Sequence, residues 1–178
     1  MKGRIEVVLA GVGGQGLILM GKILGEAAAL FEGKNAVQTQ SYGVASRGGF
    51  SKSEVVISDD EIAYPEVLEP DIVFTLSQPA FDLYCDKIGS DGLLIYDSDT
   101  IRPGVCSGKA EGYPITKTAV SLNNIKILNM IALGILVRRT GIVGYDSVKR
   151  SLEKNSPAQF RQLNFRAFEE GYKMAGRI

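Results

Sequence analysis

The sequence predicts an α/β fold: a three-layer, Rossmann-like sandwich with a mostly parallel sheet, helices on both faces and a helical C-terminal part. β-rich and helical segments alternate as far as residue 98, and a glycine-rich turn joins the first strand to the first helix. After residue 98 the pattern becomes mainly helical. With 178 residues and 45% hydrophobic composition, the chain is expected to form one domain, residues 1–178.

The first half of the chain is predicted to hold five strands and two helices. Leu17–Phe31 is rich in Ala, Leu and Ile, which predicts a helix, and Gly33 is expected to end it. Short runs rich in β-branched or apolar residues, bounded by turn residues, predict the strands. The strands are Ile5–Ala10, Asn35–Ser41, Phe50–Ser58, Asp71–Ser77 and Gly92–Ser98, and the second helix is Pro79–Ile88.

The second half is predicted to add one short strand and three helices. Asn124–Arg139 is apolar on nearly every side, which predicts a buried helix. Tyr145–Lys154 has the pattern of a short amphipathic helix. Ser156 is expected to cap the last helix, with Pro157 in its first turn. The strand is expected near Val105 or Ala110.

Composition excludes several classes of function. Lys+Arg and Asp+Glu are both 20, so no net charge attracts nucleic acid, and no apolar run is long enough to span a membrane. The chain has no His, so it lacks Ser-His and Cys-His nucleophile pairs. Cys85 and Cys106 cannot hold a four-thiolate cluster and form no C-x-x-C motif, so a reducing, cytoplasmic setting is expected.

The glycine-rich turn is the first candidate binding site. Gly11, Gly13 and Gly16 have the G-x-G-x-x-G spacing between a strand and a helix. Gly11 is expected to make the sharp turn, Gly13 to let a phosphate or a partner backbone approach, and Gly16 to let the helix pack closely. Gly14 and Gln15 complete the loop, and the helix N-terminus offers N–H groups to an anion. The alternative is a turn that only packs a helix on a sheet.

A dinucleotide site is incomplete in this sequence. Such sites place an Asp or Glu at the end of the second strand, about 20 residues on, to bind the ribose. Here Gln38 and Gln40 stand at that point, and Glu32 precedes the strand. The glycine loop is therefore interpreted as a general phosphate or anion loop.

A second loop contains one Arg, several Gly, Ser hydroxyls and a Tyr. Its candidate binding residues are Ser41, Tyr42, Arg47, Gly48 and Gly49. This loop is expected to lie beside the glycine turn at the carboxyl edge of the sheet, where Arg47 could bind a phosphate or carboxylate. Two alternatives stay open: Arg47 pairs with the acidic turn Asp59–Glu61, and Tyr42 only packs.

Taken together, these motifs resemble the gamma subunit of 2-oxoacid:ferredoxin (or acceptor) oxidoreductases. The resemblance covers nearly the whole chain, and its QTQSYG motif is most similar to the 2-oxoglutarate branch. The matching motifs are Gly11–Gly16, Gln38–Gly43, Ser46–Gly49, Ser53–Asp59, Tyr64-Pro65, Asn129–Gly134 and Asn164–Gly171.

The resemblance implies a complex that oxidatively decarboxylates a 2-oxoacid with coenzyme A and passes electrons to ferredoxin or another acceptor. It implies thiamine diphosphate, Mg and iron–sulfur clusters on partner subunits, and no cofactor bound by this chain alone. The implied partners are alpha and beta subunits, with a delta subunit as a further candidate. This chain would assist assembly and bind coenzyme A through the two loops, without catalytic or metal-ligating residues.

Two other functions are weighed against this one. The first is a stand-alone, Rossmann-like enzyme that uses a dinucleotide, and the second is an interaction subunit without a ligand. The gamma-subunit interpretation predicts that the isolated chain is colourless and inactive. It also predicts a cytoplasmic protein without nucleic-acid or membrane-spanning functions.

Overall fold

A computed structural model describes residues 3–42 and 49–176, and six strands form one sheet in this part of the chain. The sheet order is β2-β3-β1-β4-β5-β6. Five of the strands run in one direction and β3 runs against them, so the predicted mostly parallel sheet is confirmed. The strands are β1 (Arg4–Val12), β2 (Asn35–Tyr42), β3 (Phe50–Ser58), β4 (Ile72–Thr75), β5 (Leu93–Asp97) and β6 (Lys109–Tyr113).

The described helices follow the prediction with four main differences. The second helix spans Gln78–Cys85 rather than Pro79–Ile88, so it ends three residues early. α3 was not predicted, and α4 begins four residues late because a 3₁₀ turn occupies Ile125–Ile127. The last helix begins at Arg161, after a second 3₁₀ turn, so the expected cap at Ser156 is wrong; the Ser156 hydroxyl accepts from the Asn164 amide at 3.0 Å. The helices are α1 (Leu17–Phe31), α2 (Gln78–Cys85), α3 (Ile115–Ser121), α4 (Leu128–Thr140), α5 (Tyr145–Asn155) and α6 (Arg161–Ala175).

The two faces of the sheet carry unequal layers. On one face, Val7 and Leu9 of β1 contribute to a large core with α1, α4, α5 and α6. On the opposite face, Val8 and Ala10 pack with α2 in a smaller core. Alternate side chains of one strand therefore serve different layers, as strand geometry requires. The three-layer prediction is confirmed, although α2 is the one helix of the second core among the described residues.

Glycines bring α4 and α6 into close contact. Gly134 lies against the backbone of Phe168 and Tyr172, and Gly171 lies against the carbonyl of Ile131. A Cβ at either glycine would overlap backbone atoms of the other helix. Because backbone cannot move aside as a flexible side chain can, these two positions fix the separation of the helices.

An ion pair attaches the edge strand β6 to α4. Nε and Nη2 of Arg139 donate to the two carboxylate oxygens of Glu111, each at 2.6 Å. The Tyr113 hydroxyl and the Lys109 ammonium also contact this carboxylate, at 3.1 and 2.8 Å. The hydrogen bonds from Arg139 are the largest cause that lowers the pKa of Glu111 from 4.5 to about 2.

The two cysteines are joined, which corrects the expectation of reduced thiols. Cys85, the last residue of α2, forms a disulfide with Cys106, and their Cα atoms are 4.7 Å apart. Twenty-one positions separate the two residues in sequence, and the return of the chain from β5 toward β6 brings them together. The sequence lacks a local motif that would have indicated this pairing.

None of the helices in residues 3–42 and 49–176 combines the length and the apolarity needed to cross a membrane.

We expect Gly171→Ala to lower the free energy of unfolding by about 1–3 kcal/mol, because the added methyl group must displace the Ile131 carbonyl. Gly25→Ala is the matched control within α1. A Cβ at Gly25 would meet only Val55 and Ala36, at 3.8 and 4.0 Å, so this variant should gain up to about 1 kcal/mol. Urea unfolding of both variants measures the difference. Equal effects of the two substitutions would contradict the close-packing explanation.

We expect Glu111 to make stability depend on pH in acid. Its pKa is lower in the folded chain than in the unfolded chain, so its contribution is complete above about pH 4.5 and is lost as the pH falls toward 2. Glu111→Gln should therefore flatten this part of the stability profile. Glu153→Gln is the control, because Glu153 is exposed and its oxygen lies 3.9 Å from Arg161. Identical profiles for Glu111→Gln and the unsubstituted chain would refute the assignment.

Candidate functional site

The candidate site is the crevice between the carboxyl ends of β1 and β4. These strands are parallel neighbours, and Ala10 pairs with Thr75 near their ends. After β1 the chain enters α1 on one face of the sheet, and after β4 it enters α2 on the opposite face. Adjacent strands whose helices leave to opposite faces open a crevice, which is the usual ligand position in such sheets.

Gln15 closes the inner end of this crevice. Its side-chain oxygen accepts from the Val12 N–H at 2.8 Å, and its side-chain nitrogen donates to the Leu76 carbonyl at 2.8 Å. Gly11 leaves room for the Gln15 carboxamide, since a Cβ there would overlap it. Gly11 itself lies inside β1 opposite Ser51, so the expectation that it makes the sharp turn is wrong.

The turn is made by the later glycines. Gly14 and Gly16 have φ values of 96° and 76°, which favour glycine, and Gly14 is exposed with open space where a Cβ would lie. The Gly13 N–H donates to the Gly49 carbonyl of the same chain at 2.8 Å. Gly16 allows the Asn129 amide to reach its carbonyl at 3.2 Å. Asn129 therefore holds the start of α4 against the loop.

Two helix N-termini border the crevice without side-chain caps. Gly16 precedes α1 and Ser77 precedes α2, and neither helix has an acidic residue in its first turn. Uncapped N–H groups and the helix dipole favour an anion at such ends. The hydroxyl oxygens of Thr75 and Ser77 are buried and have no hydrogen-bond partner within residues 3–42 and 49–176. The crevice thus has hydrogen-bonding capacity that the fold does not use.

The second loop begins at the end of β2, which β3 separates from β1, and it ends beside the glycine turn. Ser41 and Tyr42 are the last residues of β2, and Tyr42 pairs with Ser51. Gly49 follows at the start of β3, in contact with Gly13 through the hydrogen bond given above. Arg47 and Gly48 lie outside the described residues. Their predicted role in binding stays a prediction, as does the alternative pair between Arg47 and the acidic turn.

Gln38 occupies the position expected for a ribose-binding acid, and its side chain bonds to neighbouring elements of the fold. The Gln38 amide donates to the Ile18 carbonyl at 2.9 Å and to the Ser53 hydroxyl at 2.7 Å. These bonds attach β2 to α1. In addition, β3 separates β2 from β1, which places the end of β2 about two strand spacings, or roughly 10 Å, from the glycine loop.

Sequence reasoning missed the α2 side of the crevice. Thr75 and Ser77 flank Leu76 at the end of a short apolar run, and nothing local marks them as part of a site. The available signal was topological. Ser77 follows the strand and precedes a helix that begins with Gln-Pro, so this segment supplies a second helix N-terminus. That this N-terminus lies beside β1 follows only from the strand order.

We expect Gln15→Glu to lower the free energy of unfolding by about 1–3 kcal/mol at pH 7. A carboxylate cannot donate to the Leu76 carbonyl, so two acceptors would face each other in the crevice. Gln40→Glu makes the same change on an exposed residue of β2 and should alter stability by less than about 0.5 kcal/mol. Thermal unfolding of both variants provides the test. A Gln15→Glu variant as stable as Gln40→Glu would remove the bridging role of Gln15.

Comparison with known proteins gives relatives along the full length. The family model for pyruvate ferredoxin/flavodoxin oxidoreductase matches residues 6–174. The 2-oxoglutarate synthase subunit KorC of Methanocaldococcus jannaschii is 44% identical over 179 aligned positions, covering 98% of this chain and 96% of that protein.

Solved structures share the fold. The gamma subunit of a keto/oxoacid ferredoxin oxidoreductase from Geobacter sulfurreducens PCA is 36% identical, with a TM-score of 0.85 over 98% of this chain and 99% of that chain. A chain of the 2-oxoglutarate:ferredoxin oxidoreductase from Magnetococcus marinus, solved with 2-oxoglutarate, coenzyme A and succinyl-CoA bound, is 22% identical. Its TM-score is 0.90 over 100% of this chain and 32% of that chain. With a family match over nearly all its residues, the chain belongs to the pyruvate ferredoxin/flavodoxin oxidoreductase family.

Proposed function

We propose that this chain is the gamma subunit of a 2-oxoglutarate:ferredoxin oxidoreductase and that its crevice helps to bind coenzyme A. The complex would convert a 2-oxoacid, coenzyme A and oxidised ferredoxin into acyl-CoA, CO2 and reduced ferredoxin. Thiamine diphosphate, Mg and the iron–sulfur clusters would be held by partner subunits, because this chain has no His and only two Cys. The partners are alpha and beta subunits, with a delta subunit as a further candidate, in a cytoplasmic complex.

The observation that carries the coenzyme A role is the pair of uncapped helix N-termini at one crevice. Coenzyme A carries a pyrophosphate and a 3′-phosphate, and these are the groups that free N–H donors and helix dipoles favour. Gly14 is exposed and nothing occupies the space that a Cβ would fill there, so a phosphate could approach the loop backbone closely. Gln15 blocks the inner end of the crevice, which leaves the outer side of the glycine loop for the ligand.

The dehydrogenase alternative has less support. Gln38 uses its amide to join α1 and β3, and it offers no carboxylate to a ribose. The insertion of β3 also moves the end of β2 away from the loop. Coenzyme A does not need a ribose-binding carboxylate of the dinucleotide type, so the same features are compatible with the proposed ligand.

Exposed apolar side chains support a role of this chain in subunit contact. Ile125 and Phe160 are large apolar side chains that are 48% and 47% exposed. Ile125 lies just before α4, whose residue Asn129 contacts the glycine loop, and Phe160 lies just before α6. Exposed apolar groups beside a ligand site are typical of a surface that a partner covers. We therefore propose that this surface contacts another subunit in the same complex.

We expect Arg47→Ala to raise the Michaelis constant for coenzyme A by about 10- to 150-fold in the assembled complex, and to change the constant for 2-oxoglutarate much less. This range corresponds to the loss of a charge-assisted hydrogen bond worth about 1.5–3 kcal/mol. Arg47→Lys should recover part of the loss, because Lys keeps the charge but not the planar fork. Steady-state kinetics with each substrate varied in turn would measure both constants.

Lys52→Ala is the control for a lost positive charge. Lys52 lies on β3 and pairs with Glu54 at 2.6 Å, so its removal should leave the constant for coenzyme A unchanged. An unchanged constant in a normally assembled Arg47→Ala complex would rule out the ligand role of Arg47. A loss of thermal stability or of subunit association without a kinetic change would instead favour a pair with the acidic turn Asp59–Glu61.

A further inference from the structure

A segment that we call the strap, residues 101–108, lies along α2 and is attached near both ends of that helix. At the first residue of α2, the Gln78 side chain accepts from the Arg102 N–H at 2.8 Å and donates to the Arg102 carbonyl at 3.2 Å. At the last residue, Cys85 forms the disulfide with Cys106, and its carbonyl accepts from the Ser107 N–H at 3.1 Å. The strap is therefore fixed at two points of one short helix.

Between these two points the strap is held by little else. Ile101 is buried in the smaller core, whereas residues 102–105 are all exposed and Val105 is 97% exposed. Apolar packing therefore does not restrain this stretch. Its order depends on the Gln78–Arg102 hydrogen bonds at one end and on the disulfide with a single backbone hydrogen bond at the other.

The two cysteine residues differ in exposure. Cys85 is 6% exposed and packs in the smaller core, whereas Cys106 is partly exposed at the edge of that core. An incoming thiolate would therefore attack the sulfur of Cys106 and displace that of Cys85. The Cys85 sulfur lies 3.4 Å from the Val105 carbonyl oxygen, so a reduced Cys85 thiol would have an acceptor in place.

We propose that the Cys85–Cys106 disulfide is a redox-modification site and that a dithiol reductant opens it to release the strap. One thiolate of the reductant bonds to the Cys106 sulfur, the Cys85–Cys106 bond breaks, and Cys85 leaves as a thiolate that takes up a proton. The second thiol of the reductant then attacks the mixed disulfide and releases the Cys106 thiol. The reductant supplies both electrons and becomes a disulfide itself.

This proposal is independent of the coenzyme A role, and its consequence is local. Reduction removes the covalent attachment at the end of α2 but leaves the Gln78–Arg102 hydrogen bonds at the beginning. The second half of the strap, which includes the exposed Val105, should then gain motion, and the first half should remain anchored. The reduced and oxidised chains would thus present different surfaces at this end of α2.

The test uses the full-length chain with dithiothreitol as the dithiol. Iodoacetamide labelling followed by intact mass should show no modified cysteine before reduction and two after it. Hydrogen exchange of the Ser107 amide, which donates to the Cys85 carbonyl, should rise at least tenfold on reduction, and exchange in β5 should stay unchanged. The melting temperature should fall by about 6–12 °C, as expected for opening a loop of some 20 residues.

Cys106→Ser provides the matched variant. It should show the rapid exchange of the reduced chain at the Ser107 amide and should not respond to dithiothreitol. Labelling of both cysteines in an air-oxidised, unreduced preparation would overturn the proposal. So would a disulfide that dithiothreitol cannot open in the folded chain, or a strap whose exchange is the same in both states. The measurements on the unsubstituted chain decide these points even if the variant does not fold.

Discussion

The Gln15 carboxamide is the contact on which the geometry of the crevice depends. It joins the end of β1 to the end of β4 by one accepted and one donated hydrogen bond. Parallel strands diverge where their helices leave to opposite faces, so the gap between them must be filled or bridged. A side-chain amide suits this position because it offers both an acceptor and donors.

Glycines allow the surrounding elements to approach this crevice. Gly11 makes room for Gln15, and Gly16 makes room for Asn129, so β1 and α4 both contact the loop through side-chain amides. Gly134 and Gly171 then bring α6 against α4. The glycine-rich motif thus serves packing. Glycine spacing alone did not separate a phosphate loop from a structural turn, because both need the same freedom of the backbone and the same close approaches.

The two faces of the sheet carry hydrophobic cores of different size, and their stability differs accordingly. The face of α1, α4, α5 and α6 carries the larger core, with fully buried residues such as Leu24 and Phe168. The opposite face relies on the eight residues of α2, supported by the Cys85–Cys106 disulfide and the strap. A covalent bond supplies a larger share of the stability of a small core than of a large one, because the small core buries less apolar surface. Elements on the α2 side are accordingly the ones whose position can depend on redox state.

The sequence by itself determined the elements whose signals are local. Leu17–Phe31 and Phe50–Ser58 were predicted with the bounds that the structure has, because a C-terminal glycine, helix-forming residues and β-rich composition act within a few residues. The glycine turn and the family resemblance are also local, since they are carried by short motifs. The predicted starts of α4 and α6 were several residues too early, because 3₁₀ turns at Ile125–Ile127 and Ala158–Phe160 satisfy the same apolar pattern.

Only the tertiary structure decided which elements are neighbours. Strand order placed β3 between β1 and β2, and so removed the Gln38 position from the loop that a dinucleotide site would need. It also placed Thr75 and Ser77 beside the glycine turn and brought Cys106 to Cys85 across 21 positions. Such contacts depend on how the chain crosses the sheet, and no short segment of sequence carries that information, because the free energy of pairing comes from burial shared by distant residues.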